Sequence, residues 1–231
     1  MMYQDYKQVV AQATSAERAT FYKHTYGHVA GGVLVFILLE ALFLQSEFLV
    51  TTLLSFTQGY LWLVLIGGFM GISWIAQKMA MDEVSKPKQY LGYFLYIVGQ
   101  ALLFVPMMYI VINYTGTIVL KQAAAVTVAL FVALSVIAFT SKVDFSFLRG
   151  IITIGFILAI GAIIAGMLFG FSLGLWFSVA MCALAAGSIL YETQQIQYQY
   201  STNQYVAAAL GLFSSLMLLF WYVLRIFMSR D

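Results

Sequence analysis

Residues 150–191 contain no Asp, Glu, Lys or Arg. Four further stretches, 48–77, 89–120, 122–141 and 193–224, are also free of charge. A helix that crosses the hydrocarbon core of a bilayer needs roughly 20 apolar residues at about 1.5 Å rise per residue. The stretch 150–191 is long enough for two crossings, and Gly170-Phe171-Ser172-Leu173-Gly174 supplies the turn between them. Strands of an outer-membrane barrel would alternate with period two. Runs such as Phe156-Ile157-Leu158-Ala159-Ile160 do not, so the spans are helical. Charged residues make up 9% of the 231 and hydrophobic ones 63%. About a quarter charged is usual for a soluble domain, so a soluble enzyme, a disordered chain and a nucleic-acid binder are excluded. A disulfide scaffold is excluded too, because Cys182 is the single cysteine and lies in an apolar run. The pattern predicts an all-α integral membrane protein.

Seven spans are predicted near 26–46, 55–79, 89–112, 118–140, 147–168, 173–195 and 205–227. The second has the least defined start, because 48–56 is also apolar. Pro106 falls inside the third and is expected to kink it. Basic residues near span ends set the orientation. With the N-terminus in the cytoplasm, that side receives Lys7, Arg18, Lys23, Lys78, Lys86, Lys88, Lys142 and Arg149. The far side receives Lys121, Arg225 and Arg230. Eight against three predicts N-in and C-out. Residues 1–25 read as a polar cytoplasmic tail without the apolar core of a cleaved signal peptide, so the first span is expected to act as its own targeting signal. Residues 26–231 form the membrane domain, and the lipid bilayer is the first partner.

Polar residues inside a bilayer are costly, so each needs a reason. Glu192, near the cytoplasmic end of the sixth span, opens the cluster Glu192-Thr193-Gln194-Gln195. A partly desolvated carboxylate can sense pH or bind a cation; alternatively it dips into the headgroup layer. Lys78 ends the second span at the same level and either pairs with Glu192 or anchors the span end. Glu40, two-thirds of the way out along the first span, is expected to snorkel to the outer interface beside Gln45 and Glu47. Asp144 is placed to cap the start of the fifth span. Gln100, mid-membrane in the third, is expected to hydrogen-bond between helices. His24 and His28 lie one turn apart, but no third metal ligand is identifiable. No nucleophile–base constellation, nucleotide loop or zinc-protease motif occurs, so catalysis and a resident cofactor are not expected.

The order of several motifs resembles the Bax inhibitor-1 family of seven-helix membrane proteins. Lys23-His24-Thr25-Tyr26 opens the first span as the family's basic-x-Thr-Tyr entry does. Ala138-Phe139-Thr140-Ser141-Lys142-Val143-Asp144-Phe145-Ser146-Phe147-Leu148 is similar to its turn between spans four and five. Leu190-Tyr191-Glu192-Thr193-Gln194 matches Leu-Tyr-Asp-Thr-Gln with Glu for Asp. Asn203-Gln204-Tyr205-Val206-Ala207-Ala208 and Leu224-Arg225-Ile226-Phe227 resemble the last span and its tail. The resemblance implies six helices around a central seventh. It also implies a carboxylate pair on spans six and seven that shares a proton and gates a calcium leak, since two close carboxylates do not both ionise cheaply. Here Glu192 supplies one partner, but Ser215 stands where the second acid belongs. That departure, with the Ser229-Arg230-Asp231 end, is more like the bacterial inner-membrane branch, which is associated with modulating the membrane-anchored AAA protease FtsH. Two functions are therefore expected. One is a regulator that binds such a protease. The other is a pH-sensitive cation leak around Glu192, with Ca2+ as a transient ligand.

Overall fold

The computed structural model describes residues 9–82 and 84–229. Lys7 and the rest of residues 1–8, together with Arg230 and Asp231 of the C-terminal motif, lie outside the described residues. Among the described residues the helices are α1 (Ser15–Phe43), α2 (Glu47–Ser55), α3 (Leu61–Ala80), α4 (Lys86–Ile110), α5 (Thr117–Thr140), α6 (Leu148–Phe169), α7 (Gly174–Tyr198) and α8 (Tyr205–Met228). All but the short α2 are long and apolar enough to cross a membrane, giving the seven expected spans. The chain is an all-α, multi-pass membrane protein.

Two boundaries differ from those predicted, and both have local causes. α1 starts at Ser15, well before residue 26, because Thr14 and Glu17 form a capping box. The Thr14 hydroxyl accepts from the Glu17 amide at 3.3 Å, and the Glu17 carboxylate accepts from the Thr14 amide at 2.8 Å. The apolar run at 48–56 is not part of the second span. Ser46 caps it as the separate helix α2, and Gly59, at φ +54°, lies in the link to α3. α4 continues through Pro106 to Ile110 and then widens into a π-helical turn over Val111–Thr115. The turn between α6 and α7 forms where expected, with Gly170 at φ +73° and Gly174 at φ +63°.

α8 is the central helix. Ala208, Ala209, Leu212, Phe213 and Leu224 are fully buried, and α8 packs against α1, α3, α4, α5 and α7. Small residues at its start let its neighbours approach closely, which favours association in lipid, where burying an apolar surface gains little by itself. α6 is peripheral and packs chiefly on α7. Its entry is held by Gln194 of α7, whose Oε1 accepts from the Phe145 amide at 2.7 Å while its Nε2 donates to the Val143 carbonyl at 3.1 Å. The N-terminal segment ties down the α7–α8 connection: the buried Val10 donates its amide to the Tyr200 carbonyl at 3.0 Å.

Candidate functional site

α3 and α6 stand on opposite sides of a cavity of about 1040 Å³, with α4, α7 and α8 behind it. Ile66 and Phe69 of α3 and Phe156, Ile160 and Ile163 of α6 line its apolar walls. At the end where α7 finishes and α8 begins, Gln77, Arg149, Glu192 and Tyr200 line it. At the other end lie Arg225 and Phe171. The cavity therefore runs along most of the helix length, and its charged lining is two arginines and one carboxylate.

Glu192 lies on the face of α7 that meets α8. A Cβ built on Gly211 would come within 2.8 Å of the Glu192 Oε2, so the carboxylate lies flat against the bare backbone of the central helix. Only a residue without a side chain allows that approach. Glu192 makes no hydrogen bond or ion pair among the described residues, and its exposed part faces the cavity. Ser215, one turn beyond Gly211, lines the same cavity and is buried. The two residues share the cavity, but no hydrogen bond joins them among the described residues. In the lining of the same cavity the Tyr96 hydroxyl of α4 donates to the Ser214 hydroxyl at 2.6 Å. Tyr200, in the loop after α7, has its phenol held above its ordinary pKa, first by burial and then by the nearby Glu192 charge.

The other sequence candidates divide between this cavity and structural roles. Gln100 is buried and lines the cavity one turn from Tyr96; the hydrogen bond to another helix that was expected of it is not made among the described residues. Tyr191 lines the cavity too, half-buried. Lys78 does not pair with Glu192. It is exposed on the outer side of α3, with its ammonium 5.3 Å from the centroid of the Trp74 ring on its own helix. Glu40 does not snorkel outward. It continues the buried stripe Val29, Gly32, Phe36 of α1, which points its side chain into the bundle, and neither of its oxygens finds a partner among the described residues. Thr193 is fully buried and faces the Tyr26 and Ser135 hydroxyls, away from the cavity. Asp144 caps the turn into α6: its Oδ1 accepts from the Ser146 hydroxyl at 2.6 Å and the Ser146 amide at 2.9 Å, and these bonds hold its carboxyl below the usual range.

Gly211, Tyr96 and Ser214 were not among the residues singled out from the sequence. Glycine, tyrosine and serine are ordinary in membrane helices, and only the register of α8 against α4 and α7 brings Gly211 to Glu192 and Ser214 to Tyr96. The one available signal was the spacing of Gly211 and Ser215 along a single helix face.

A sequence model of the family described as "Inhibitor of apoptosis-promoting Bax1" matches residues 18–231. An uncharacterized protein of Pseudomonas aeruginosa is 35% identical over 113 residues, 48% of this chain and 50% of that protein. An uncharacterized membrane protein of Vibrio cholerae is 33% identical over 112 residues, 48% of this chain and 50% of that protein. The matched stretch thus spans about half the length of these two bacterial relatives. Bax inhibitor 1 of Schizosaccharomyces pombe is 23% identical over 222 residues, 94% of this chain and 79% of that protein. The family match begins in the first turn of α1 and runs through the last span, so the whole membrane domain and not a single motif carries the assignment: the chain belongs to the Bax inhibitor-1 family of membrane proteins.

Proposed function

We propose that this protein is a non-enzymatic regulator in the bacterial inner membrane that receives a membrane helix of a partner between α3 and α6, the partner being a membrane-anchored AAA protease of the FtsH type. One observation carries the reading: the long cavity between α3 and α6 has apolar walls and a net positive lining, with Arg149 and Arg225 outweighing Glu192. Apolar walls suit a helix that brings its own satisfied backbone. A positive lining disfavours a divalent cation, and Ser215 removes the second acid that a proton-sharing gate needs. The choice of protease rests on the resemblance to the bacterial branch, and the N-in orientation rests on the distribution of basic residues. A photo-crosslinking residue at Ile160 on the cavity wall, compared with one at the exposed Leu38 of α1, tests it in native membranes. Capture of the protease from Ile160 and not from Leu38 is expected. Capture from neither position, with protease turnover unchanged on deletion of the protein, rejects the reading.

A second reading, a pH-sensitive calcium leak, is favoured by the Glu192 carboxylate, which faces the cavity with no hydrogen-bond or ion-pair partner among the described residues. Purified protein in liposomes loaded with a calcium dye tests it from acid to neutral pH. A flux whose pH dependence disappears in Glu192→Gln would establish this reading.

A further inference from the structure

On the other side of the bundle, α1 and α4 leave a groove of about 750 Å³ between them. Both helices start on the N-terminal side of the membrane, and the groove changes character along them. Its mouth is formed by Thr20, Lys23 and His24, and its deeper part by Val35, Phe94 and Ile97. None of its lining residues is acidic. Gly27 and Gly31 form part of one wall, and a Cβ placed on either would meet no heavy atom within 4 Å, so the trough is open there. Lys23 and His24 are exposed, and Lys23 has no ion pair or hydrogen bond among the described residues.

The wall behind the mouth is held in place. His28 Nδ1 donates to the His24 carbonyl at 2.6 Å, and its Nε2 meets the Tyr90 hydroxyl at 3.1 Å. The Tyr90 hydroxyl in turn meets that of Tyr205 at 3.3 Å. Lys86 sits over the Tyr205 ring, its ammonium 3.9 Å from the centroid, and donates to the Asn203 carbonyl. It adds positive charge behind the mouth while its own donors are engaged within the protein.

We propose that this groove binds an anionic phospholipid of the N-terminal-side leaflet, with the phosphate at Lys23 and His24 and one acyl chain along Gly27, Gly31 and Phe94. The polarity gradient selects this class. A free phosphate would leave the apolar length unused, and a zwitterionic lipid would leave the unopposed lysine uncompensated. Basic pockets between membrane helices recognise anionic headgroups for this reason.

The test uses the full-length protein in nanodiscs of phosphatidylcholine with and without phosphatidylglycerol, followed by gentle release and mass spectrometry of the retained lipid. Wild type is expected to retain phosphatidylglycerol preferentially. Lys23→Gln is expected to lower that preference about five-fold, the effect of one basic contact at a membrane surface. Gly31→Leu fills the trough and is expected to abolish retention. Lys121→Gln, near the start of α5 and on the opposite side of the membrane from Lys23, serves as a matched loss of charge and is expected to change nothing. Equal retention of both lipids by wild type overturns the proposal. So does retention that inorganic phosphate abolishes and Gly31→Leu leaves intact, which would mark a site for free phosphate. If wild type instead cross-links as a dimer and Gly31→Leu abolishes that cross-link, a second copy of the chain occupies the groove and the proposal falls.

Discussion

α6 and α8 look alike on paper and sit in opposite environments. Each is an uncharged apolar helix apart from one arginine, and α6 is the more hydropathic. Yet 72% of the most apolar window of α8 is buried in the protein, against 6% for α6. In water the more apolar helix would take the centre. In a bilayer the solvent is as apolar as leucine, so the greasier helix loses nothing by facing lipid. α6 holds as many small residues as α8, but α8 carries the hydroxyls of Tyr205, Ser214, Ser215 and Tyr222 against Thr153 alone in α6, and internal hydrogen bonds are what lipid cannot supply. Ser214, which accepts from Tyr96, and Ser215 are two of those hydroxyls, and both line the cavity.

Paired substitutions break this comparison at its strongest point first. Phe213 of α8 is fully buried, and Phe169 at the end of α6 is 79% exposed. Phe213→Ala is expected to cost about 3–5 kcal/mol through the cavity it opens. Phe169→Ala should stay within about 0.5 kcal/mol. Thermal unfolding in one detergent compares them, and equal losses would mean that α6 packs inward.

A smaller effect is expected from adding side chains. Gly211→Leu would push into Glu192 and is expected to cost about 1–3 kcal/mol by overpacking. A Cβ placed on Gly161 of α6 meets nothing within 4 Å, and Gly161→Leu should be close to neutral by the same assay. Accessibility of Glu192 to a carboxyl-modifying reagent sharpens the pair, since only Gly211→Leu should change it.

The smallest effect concerns the entry to α6. The Asp144 carboxyl is held below its ordinary value by Ser146, so its capping bonds stabilise the fold above the unfolded value near pH 3.9 and fade as pH falls through the folded value. The difference in Tm between wild type and Asp144→Ala should therefore be larger at about pH 6 than at about pH 2. A difference independent of pH would show that the turn does not depend on the ionised cap.

The spans were legible because charge is excluded from the hydrocarbon core whatever a helix packs against. The long stretches without charge therefore mark the crossings, and Gly170 and Gly174 mark the turn. The cap at Asp144 was legible because it depends on neighbours two residues away. Glu192 stood out because a carboxylate at the end of an apolar span needs a reason. The start of α1 was also local, in Thr14 and Glu17, although the polar look of residues 15–25 disguised it.

The orientation of side chains about each helix axis was not legible. From the sequence Glu40 reads as snorkelling to the interface beside Gln45 and Glu47, and its burial follows from the stripe it shares with Gly32 and Phe36. Lys78 and Glu192 are expected at the same membrane depth from the sequence, but depth does not say which faces of α3 and α7 meet. The sequence by itself determined that this chain crosses a bilayer seven times and where, because transfer from water to lipid acts on each segment separately. Only the tertiary structure decided that α8 is central, that Gly211 makes room for Glu192, and that α3 and α6 stand apart around a cavity. Those outcomes depend on which helix faces meet, and hydropathy is silent on that when lipid and protein interior are equally apolar.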